Sequence, residues 1–296
     1  MTLPNIGFIG FGEAGFHIAL GLRNAGAIGI SAYDINAESR DLGPRIQQRA
    51  KDSETELVGS PAKLAASADI LISAVTSSSA LDAARQTIPF LQERHVYLDI
   101  NSISPALKQE IDRLIRETPA AFVEAAVMAP VPPYGHRVPM LLGGSRASAL
   151  AAILSPFGMR FEVVSDAIGI AVAVKMCRSI VIKGLEALMF ECVLGASRYG
   201  AEERVFASLQ ESYPGMDWKK LADYMVGRVV VHGERRAREM EEVAETLRAG
   251  GIDPIMAEAT ARRQDWSAQM KLREYFGPDG PANYREVLDI IKKTNS

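Results

Sequence analysis

Short apolar runs alternate with helical patterns through the first half of the chain. Seven of these runs have the length and composition of strands buried in a sheet, namely residues 5–10, 29–34, 70–75, 96–100, 122–126, 139–143 and 160–164. Helical patterns cover residues 13–25, 78–91 and 105–117, and Ser104 is a good N-cap for the last of them. This alternation predicts an α/β fold with a doubly wound parallel sheet.

The strand pattern ends at Ser165. Residues 167–199 form one long apolar helical run, and Pro or Gly separates the helical segments that follow, at 202–211, 217–249, 253–275 and 283–293. We therefore predict two domains, an α/β domain over residues 1–166 and a smaller all-helical domain over residues 167–296. A length of 296 residues suits this division, since one domain takes roughly 100–200 residues.

Charge and hydropathy argue against two classes of partner. A net charge of −3 gives no field that attracts a polyanion, so we expect no nucleic-acid partner. Charged side chains interrupt the most apolar region, residues 167–194, so we expect no membrane span. Cys177 and Cys192 fall in one predicted helix about 22 Å apart, too far for a disulfide. With a first strand that begins almost at the N-terminus, this favours a cytoplasmic protein.

A glycine-rich turn joins the first predicted strand to the first predicted helix. It has the pattern G-x-G-x-x-G, formed by Gly10, Phe11, Gly12, Glu13, Ala14 and Gly15. The first glycine permits a tight turn, the second lets a pyrophosphate approach the backbone, and the third lets helix and strand pack closely. Free N–H groups at a helix N-terminus favour phosphate. The turn therefore predicts a dinucleotide-binding site, and the alternative is a purely structural glycine turn.

Asp34 ends the second predicted strand, 19 residues beyond the last glycine of the turn. A carboxylate at this place accepts hydrogen bonds from an adenosine ribose diol and repels a 2′-phosphate. The next cation along the chain is Arg40. We therefore predict NAD as the preferred cofactor and NADP as a possible one. We assign Val75, Thr76 and Asn101, at the ends of the next two predicted strands, to the same cofactor site.

Three segments together resemble the β-hydroxyacid dehydrogenases, a superfamily that includes 3-hydroxyisobutyrate dehydrogenase, tartronate semialdehyde reductase and 6-phosphogluconate dehydrogenase. They are IGFIGFGEAG at residues 6–15, LDINSISP at residues 98–105 and GIAVAVKMCRS at residues 169–179. The resemblance implies a Rossmann-type first domain, a nicotinamide cofactor and a catalytic lysine at Lys175. The second half is more similar to a branch with a short all-helical second domain.

The chain departs from that family at three places. The Ser-Gly-Gly turn that holds the substrate carboxylate is replaced by residues 127–135, which contain Met128 and three prolines. The family's Asn four residues after the lysine is Ser179 here. Seven residues after the lysine, where the phosphogluconate enzyme has an acid, this chain has Ile182, which argues against oxidative decarboxylation of a sugar phosphate. We assign Ser102, Met128 and Ser179 to the substrate site.

Lys175 follows eight residues without another polar side chain. One interpretation is a lysine that extends its ammonium from a helix edge to solvent. The other is a partly desolvated amine that exchanges a proton with a substrate hydroxyl while hydride moves to or from a nicotinamide. The match to the family's lysine position favours the second interpretation.

Helical periodicity singles out one arginine in residues 228–248, a segment with five Arg and five Glu. Arg236 lies at the edge of an apolar stripe, with His232 one turn earlier, whereas Arg238 points away. A cation at a buried edge needs an anion, so a substrate carboxylate is one candidate partner for Arg236 and His232. Alignment with the family's Lys-Asp pair indicates Arg238 and Glu239 for this role instead. A solvated, ion-paired helix face is the third interpretation.

Together these residues predict an NAD(P)-dependent oxidoreductase for a small hydroxy acid or related alcohol, with Lys175 as general acid/base. The alternatives are an imine reductase, in which the catalytic lysine is typically replaced, and a non-catalytic NAD-sensing module. The histidines have no metal-ligand spacing, so we expect no metal. The apolar helix after residue 166 has more hydrophobic surface than one small domain covers, and we expect a homodimer, as the resemblance also implies.

Overall fold

The computed structural model describes residues 4–294, and within them the first half of the chain forms one eight-stranded sheet. Its strands are β1 (Ile6–Ile9), β2 (Ile30–Tyr33), β3 (Glu56–Leu57), β4 (Ile70–Ser73), β5 (Val96–Asp99), β6 (Ala121–Val127), β7 (Pro139–Gly143) and β8 (Arg160–Ser165). All seven predicted strands are confirmed. The sequence pattern does not mark β3, because two residues are too few to show an alternation.

The strand order is β3-β2-β1-β4-β5-β6-β7-β8. Each neighbouring pair up to β6 is parallel, but β7 runs antiparallel to β6, so the prediction of a wholly parallel sheet is wrong at this edge. The connection from Val127 to Pro139 is too short for the crossover helix that a parallel neighbour requires. The next strand, β8, is parallel to β7 because α7 (Ala147–Leu154) makes that crossover.

Helices cover both faces of this sheet. In chain order they are α1 (Glu13–Asn24), α2 (Gly43–Asp52), α3 (Pro61–Ser67), α4 (Ala80–Thr87), α5 (Pro105–Ile115), the single turn α6 (Val131–Tyr134) and α7. One core layer contains Phe8 and Ile18, and the other contains Leu71 and Ile111. The side chain of Ser104 caps α5, as predicted. Two buried layers on one sheet confirm the doubly wound architecture.

Four of these helices are not predicted from the sequence pattern. The turn α6 has only four residues, and the other three are missed for different reasons. In α2 most positions are polar and only Gly43, Ile46 and Ala50 are buried. In α3 there are seven residues, fewer than a periodic pattern needs. In α7 nearly every side chain is apolar, so there is no alternation to detect.

The rest of the chain is helical. Its helices are α8 (Ile170–Ser197), α9 (Glu202–Ser212), α10 (Trp218–Ala249), α11 (Ile255–Gln269) and α12 (Tyr284–Thr294), and residues 166–294 contain no strand. The chain divides into two compact units between Lys175 and Met176, so the first turns of α8 belong to the unit that holds the sheet. Phe190, Val226 and Tyr284 lie in the core of the second unit. No helix between residues 4 and 294 is long and apolar enough to cross a bilayer.

Candidate active site

The glycine-rich turn closes β1 and opens α1. Gly10 has a φ of +84°, in the left-handed region that favours glycine, and a Cβ there would lie 2.6 Å from Val75 Cγ1. A Cβ on Gly15 would lie 2.9 Å from the carbonyl oxygen of Gly10, which accounts for a glycine where helix and turn approach. A Cβ on Gly12 would meet nothing within 4 Å, because this residue faces open space.

The N-terminus of α1 can accept an anion. Gly12 is its N-cap, Glu13 and Ala14 begin its first turn, and no side chain caps it. The first N–H groups of a helix have no intrahelical partner, so they are available to a phosphate in the open space beside Gly12. The Phe11 side chain is fully buried and packs on Phe8, so only its backbone belongs to the turn. These features fit the pyrophosphate of a dinucleotide.

Asp34 is fixed at the end of β2 by two backbone donors. The Phe11 N–H donates to Asp34 Oδ2 at 2.7 Å, and the Asn36 N–H donates to Oδ1 at 2.8 Å. Each carboxylate oxygen keeps further acceptor capacity, so Asp34 can still accept from a ribose hydroxyl. The first of these bonds also ties the glycine-rich turn to the second strand.

A cleft of about 430 Å³ opens along the carboxyl ends of β1, β2 and β4. Five of the predicted cofactor residues line it, namely Gly10, Gly12, Asp34, Val75 and Thr76. The other five predicted residues do not, namely Phe11, Glu13, Ala14, Gly15 and Asn101. Arg45 and Arg49 of α2 also line the cleft, and sequence reasoning missed both.

Asn101 joins the ends of two strands. Its side-chain Oδ1 accepts from the Val75 N–H at 2.7 Å, and its Nδ2 donates to Ser73 Oγ at 2.8 Å. The buried amide therefore holds the segment after β4 against the segment after β5. The structure thus gives Asn101 an indirect part in the predicted cofactor site, because it contacts cleft-lining Val75.

Lys175 lies in the second turn of α8, and its Nζ donates to Ser102 Oγ at 3.2 Å. Ser102 directly follows Asn101, so the hydrogen-bond partner of the lysine is the chain neighbour of the amide that holds Val75 at the cleft. Lys175 is half-buried. The ammonium therefore contacts a side chain at the carboxyl edge of the sheet, which favours the proton-transfer interpretation of Lys175 over a lysine that meets only solvent.

A buried ion pair holds the segment that carries Asn101 and Ser102. Lys108 Nζ of α5 donates to Asp99 Oδ1 and to the Asp99 carbonyl oxygen, each at 2.8 Å, and both side chains are 0% exposed. Asp99 Oδ1 also accepts from the Asn101 N–H at 2.8 Å. The conformation of this segment is therefore fixed by a charge pair that the sequence analysis did not identify.

A second buried carboxylate holds the helix that carries Lys175. Glu124 of β6 accepts at Oε1 from the N–H groups of Gly169 and Ala171, at 2.8 and 2.9 Å. It thus caps α8 from a neighbouring strand. Burial raises the pKa of Glu124, and its hydrogen bonds and the charge of Lys108 only partly oppose that rise. A lone acid inside the apolar strand pattern is a signal that could have revealed it.

In the second unit, Arg236 is buried on the apolar face of α10, as its periodicity predicts. Its guanidinium pairs with Glu186 of α8, whose other carboxylate oxygen lies 3.3 Å from Arg228 Nε. The anion that a buried Arg236 requires is therefore a side chain of this protein. This pairing removes the reason for assigning Arg236 to a substrate carboxylate.

His232 also differs from its predicted role. Burial, followed by the charges of nearby arginines including Arg235 and Arg228, lowers the pKa of His232 to about 4. The side chain is therefore neutral near pH 7 and cannot supply a positive charge to a substrate anion.

Two other predicted residues are engaged in the second unit. Ser179 Oγ accepts from Lys183 Nζ at 2.9 Å, and that ammonium also pairs with Glu239 at 2.9 Å. Arg238 is exposed and pairs with Glu241. It does not lie on the buried face of α10, so the structure gives no support to the alternative assignment of Arg238. Within residues 4–294, no group of three His, Cys, Asp or Glu side chains could hold a metal ion.

Met128 packs in the first unit against a small cluster of Ala126, Leu141 and Ala171. Its N–H donates to the Pro139 carbonyl oxygen at 2.9 Å, so it begins the hairpin-like return to β7. The following segment contains the proline turn α6. Ala171 lies one helical turn before Lys175, so Met128 packs on the part of α8 that carries the lysine.

Comparison with known proteins agrees with this architecture. Residues 5–161 match the family described as the NAD binding domain of 6-phosphogluconate dehydrogenase, and residues 196–267 match a domain of unknown function, DUF1932. The first match covers the whole predicted dinucleotide site.

Three relatives extend the comparison. A conserved hypothetical protein from Sinorhizobium meliloti 1021 is 36% identical, with 99% of this chain and 97% of that chain covered and a TM-score of 0.83. A conserved protein described as structurally similar to 3-hydroxyacid dehydrogenases is 32% identical, with 91% and 98% covered and a TM-score of 0.77. Mitochondrial 3-hydroxyisobutyrate dehydrogenase of Drosophila melanogaster is 26% identical over 72% of this chain and 65% of its own length.

Proposed function

This chain belongs to the β-hydroxyacid dehydrogenase superfamily, and we propose that it is an NAD(P)-dependent oxidoreductase. Its reaction moves a hydride between a nicotinamide and the carbinol or carbonyl carbon of a small hydroxy acid or related alcohol. The observation that carries this proposal is the hydrogen bond from Lys175 Nζ to Ser102 Oγ at 3.2 Å. It places an amine at the same carboxyl edge of the sheet as the dinucleotide cleft.

Different residues of the cleft bind different parts of the cofactor. The N-terminus of α1 binds the pyrophosphate beside Gly12, and Asp34 accepts from the adenosine ribose hydroxyls. Val75 and Thr76 line the continuation of the cleft. When bound, the nicotinamide supplies or accepts the hydride. Asp34 supports a preference for NAD(H), with NADP(H) as a second cofactor.

Lys175 moves the proton that accompanies the hydride. In the direction of oxidation its neutral amine accepts the proton of the substrate hydroxyl, and in the direction of reduction its ammonium donates a proton to the carbonyl oxygen. Ser102 Oγ accepts a hydrogen bond from Nζ and so fixes the position of the amine. Lys108 and Glu124 hold the two backbone segments on which Ser102 and Lys175 lie.

The test is nicotinamide absorbance at 340 nm with a panel of hydroxy acids, diols, aldehydes and imines. We expect turnover of a hydroxy acid or its carbonyl counterpart, and a fall in kcat of about 10²–10⁴ in Lys175→Ala. Dinucleotide affinity should stay within a factor of two. Arg178→Ala, an exposed cation on the same helix, is the matched control and should leave kcat unchanged.

Other outcomes would overturn the proposal. Turnover of imines alone would assign the protein to imine reduction, and dinucleotide binding without turnover of any substrate would favour a sensing module. A Lys175→Ala variant within about threefold of the wild type would require another proton carrier.

We also propose a homodimer in a reducing compartment such as the cytoplasm. Three large apolar side chains lie exposed along one face of α8, namely Val181, Leu185 and Leu188. A second copy of the chain would cover this face. Cys177 and Cys192 are free thiols, which suits a reducing compartment. A monomer by light scattering at micromolar concentration would contradict the dimer, and Leu185→Glu should dissociate it.

A further inference from the structure

The helix α2 presents two arginines to the dinucleotide cleft. Arg45 and Arg49 are four residues apart, so they lie on one face of the helix one turn from each other. Both line the cleft, as do Asp34 and Asn36 at the end of β2. The sequence places Arg45 eleven residues beyond Asp34, and only the packing of α2 shows that they share a cavity.

Neither arginine has an anionic partner in the protein. Across residues 4–294 their guanidinium groups form no ion pair and no hydrogen bond, whereas Arg23, Arg94 and Arg116 of the same unit each pair with an acid. Arg45 is exposed and Arg49 is half-buried. Two cations that line a cleft without a protein partner can bind an anion of the ligand.

The position of Asp34 indicates which part of the ligand they meet. An acid at the end of the second strand marks the adenosine ribose of a dinucleotide, and an arginine nearby accommodates a 2′-phosphate. Both oxygens of Asp34 already accept backbone N–H bonds, from Phe11 and Asn36, which partly compensates its negative charge. Its repulsion of a 2′-phosphate is therefore weaker than that of a carboxylate without such donors.

We propose that Arg45 and Arg49 form a 2′-phosphate subsite, through which this chain binds NADP(H) as well as NAD(H). The inference rests on the proposed use of a nicotinamide dinucleotide and names the residues that set its specificity. Asp34 favours the ribose diol of NAD(H), and the arginine pair favours the 2′-phosphate of NADP(H). The difference in binding free energy between the two cofactors then depends on two opposing contacts in one cleft.

The test measures binding of two fragments that lack the nicotinamide. Isothermal titration calorimetry with 2′,5′-ADP and with 5′-AMP compares ligands that differ only by the 2′-phosphate. We expect Arg45→Gln/Arg49→Gln to weaken 2′,5′-ADP binding roughly tenfold or more and 5′-AMP binding less than twofold. Lys51→Gln, an exposed cation of α2 outside the cleft lining, is the control and should change neither affinity.

Asp34→Asn provides the reciprocal measurement, because it removes the repulsive charge and keeps an acceptor oxygen. It should strengthen 2′,5′-ADP binding severalfold and weaken 5′-AMP binding. Higher salt should reduce the affinity of the wild type for 2′,5′-ADP more steeply than its affinity for 5′-AMP, since the extra contact is between charges that solvent reaches.

Equal losses for both fragments in the arginine double variant would mean contact with adenine or the 5′-phosphate and would overturn the subsite. The absence of any loss would overturn it as well. A wild type that binds 2′,5′-ADP through these arginines but turns over no substrate would leave the subsite in place and contradict the proposed function instead.

Discussion

Each unit of this protein contains a buried pair of opposite charges, and the two pairs differ in what they hold. In the first unit, Asp99 and Lys108 also bind the backbone of the segment that carries Ser102. In the second unit, Glu186 is shared between Arg236 and Arg228, two side chains of a single helix. The first pair fixes a loop at the candidate site, whereas the second neutralises charges within a helical core.

The comparison shows what a buried charge in a sequence can and cannot indicate. An arginine on an apolar helix face requires an anion, and Arg236 has one. The periodicity of α10 cannot distinguish a substrate carboxylate from Glu186, which lies fifty residues earlier on α8. Burial therefore predicts that a partner exists, and only the packing shows which partner it is.

The largest expected effect is at Lys108. Replacement by Met removes the cation and leaves Asp99 charged in the core, which should lower the free energy of unfolding of the first unit by about 3–5 kcal/mol. Hydrogen exchange of peptides from β4, β5 and β6 measures it. Arg85→Met breaks exposed pairs with Glu110 and Asp82 and should change stability by less than about 1 kcal/mol. Equal effects of the two variants would contradict the comparison.

In the second unit we expect an asymmetry between the two partners. Glu186→Gln removes the carboxylate from both arginines and should lower the free energy of unfolding by about 3 kcal/mol or more. Arg236→Met should lower it less, because Arg228 still pairs with Glu186. Trp218 and Trp266 both lie in this unit, so tryptophan fluorescence during urea unfolding reports on it. A larger loss in Arg236→Met than in Glu186→Gln would show that the pairing is assigned wrongly.

Kinetics of the same Arg236→Met variant separate a structural arginine from a substrate ligand. Because Glu186 already neutralises Arg236, we expect KM values for anionic and neutral substrates to change together, and by less than about threefold. A rise in KM of about tenfold or more, confined to substrates with a carboxylate, would restore the substrate role. Arg238→Met, at an exposed position on the same helix, is the control.

The smallest expected effect concerns the pH dependence that Glu124 contributes. Burial raises its pKa in the folded state above the ordinary value of 4.5, so the folded state binds this proton more tightly than the unfolded chain. The contribution of Glu124 to the free energy of unfolding is therefore fully present below pH 4.5. It is lost as the pH rises through the pKa of the folded state.

Glutamine does not titrate, so the free energy of unfolding of Glu124→Gln should not show this fall with rising pH. At pH 4, below the ordinary pKa of 4.5, it should lie within about 1 kcal/mol of the wild type, because one hydrogen-bonded neutral group replaces another. At pH 8 its stability relative to the wild type should be higher than at pH 4, as measured by urea unfolding at both pH values. A constant difference between the two proteins would show that Glu124 does not titrate as proposed.

Much of the fold follows from local pattern, since each predicted strand is a short apolar run between turn residues. The reversed direction of β7 depends instead on the length of one connection, which apolar runs do not encode. The glycine-rich turn and Lys175 are visible in the sequence because their spacing is local. Arg45 and Lys108 are not, because their importance depends on contacts with residues far along the chain or on the packing of a whole helix. Glu124 stands out as an acid in an apolar strand, but its partners on α8 are more than forty residues away.

The amide of Asn101 has a consequence for engineering this site. One terminal atom accepts from the Val75 N–H and the other donates to Ser73 Oγ, a reach that the single oxygen of a serine side chain does not have. Serine at this position would therefore leave one of these two contacts unmade. Any exchange of residues 98–105 that replaces Asn101 should be tested together with a change at Ser73, its partner on the neighbouring strand.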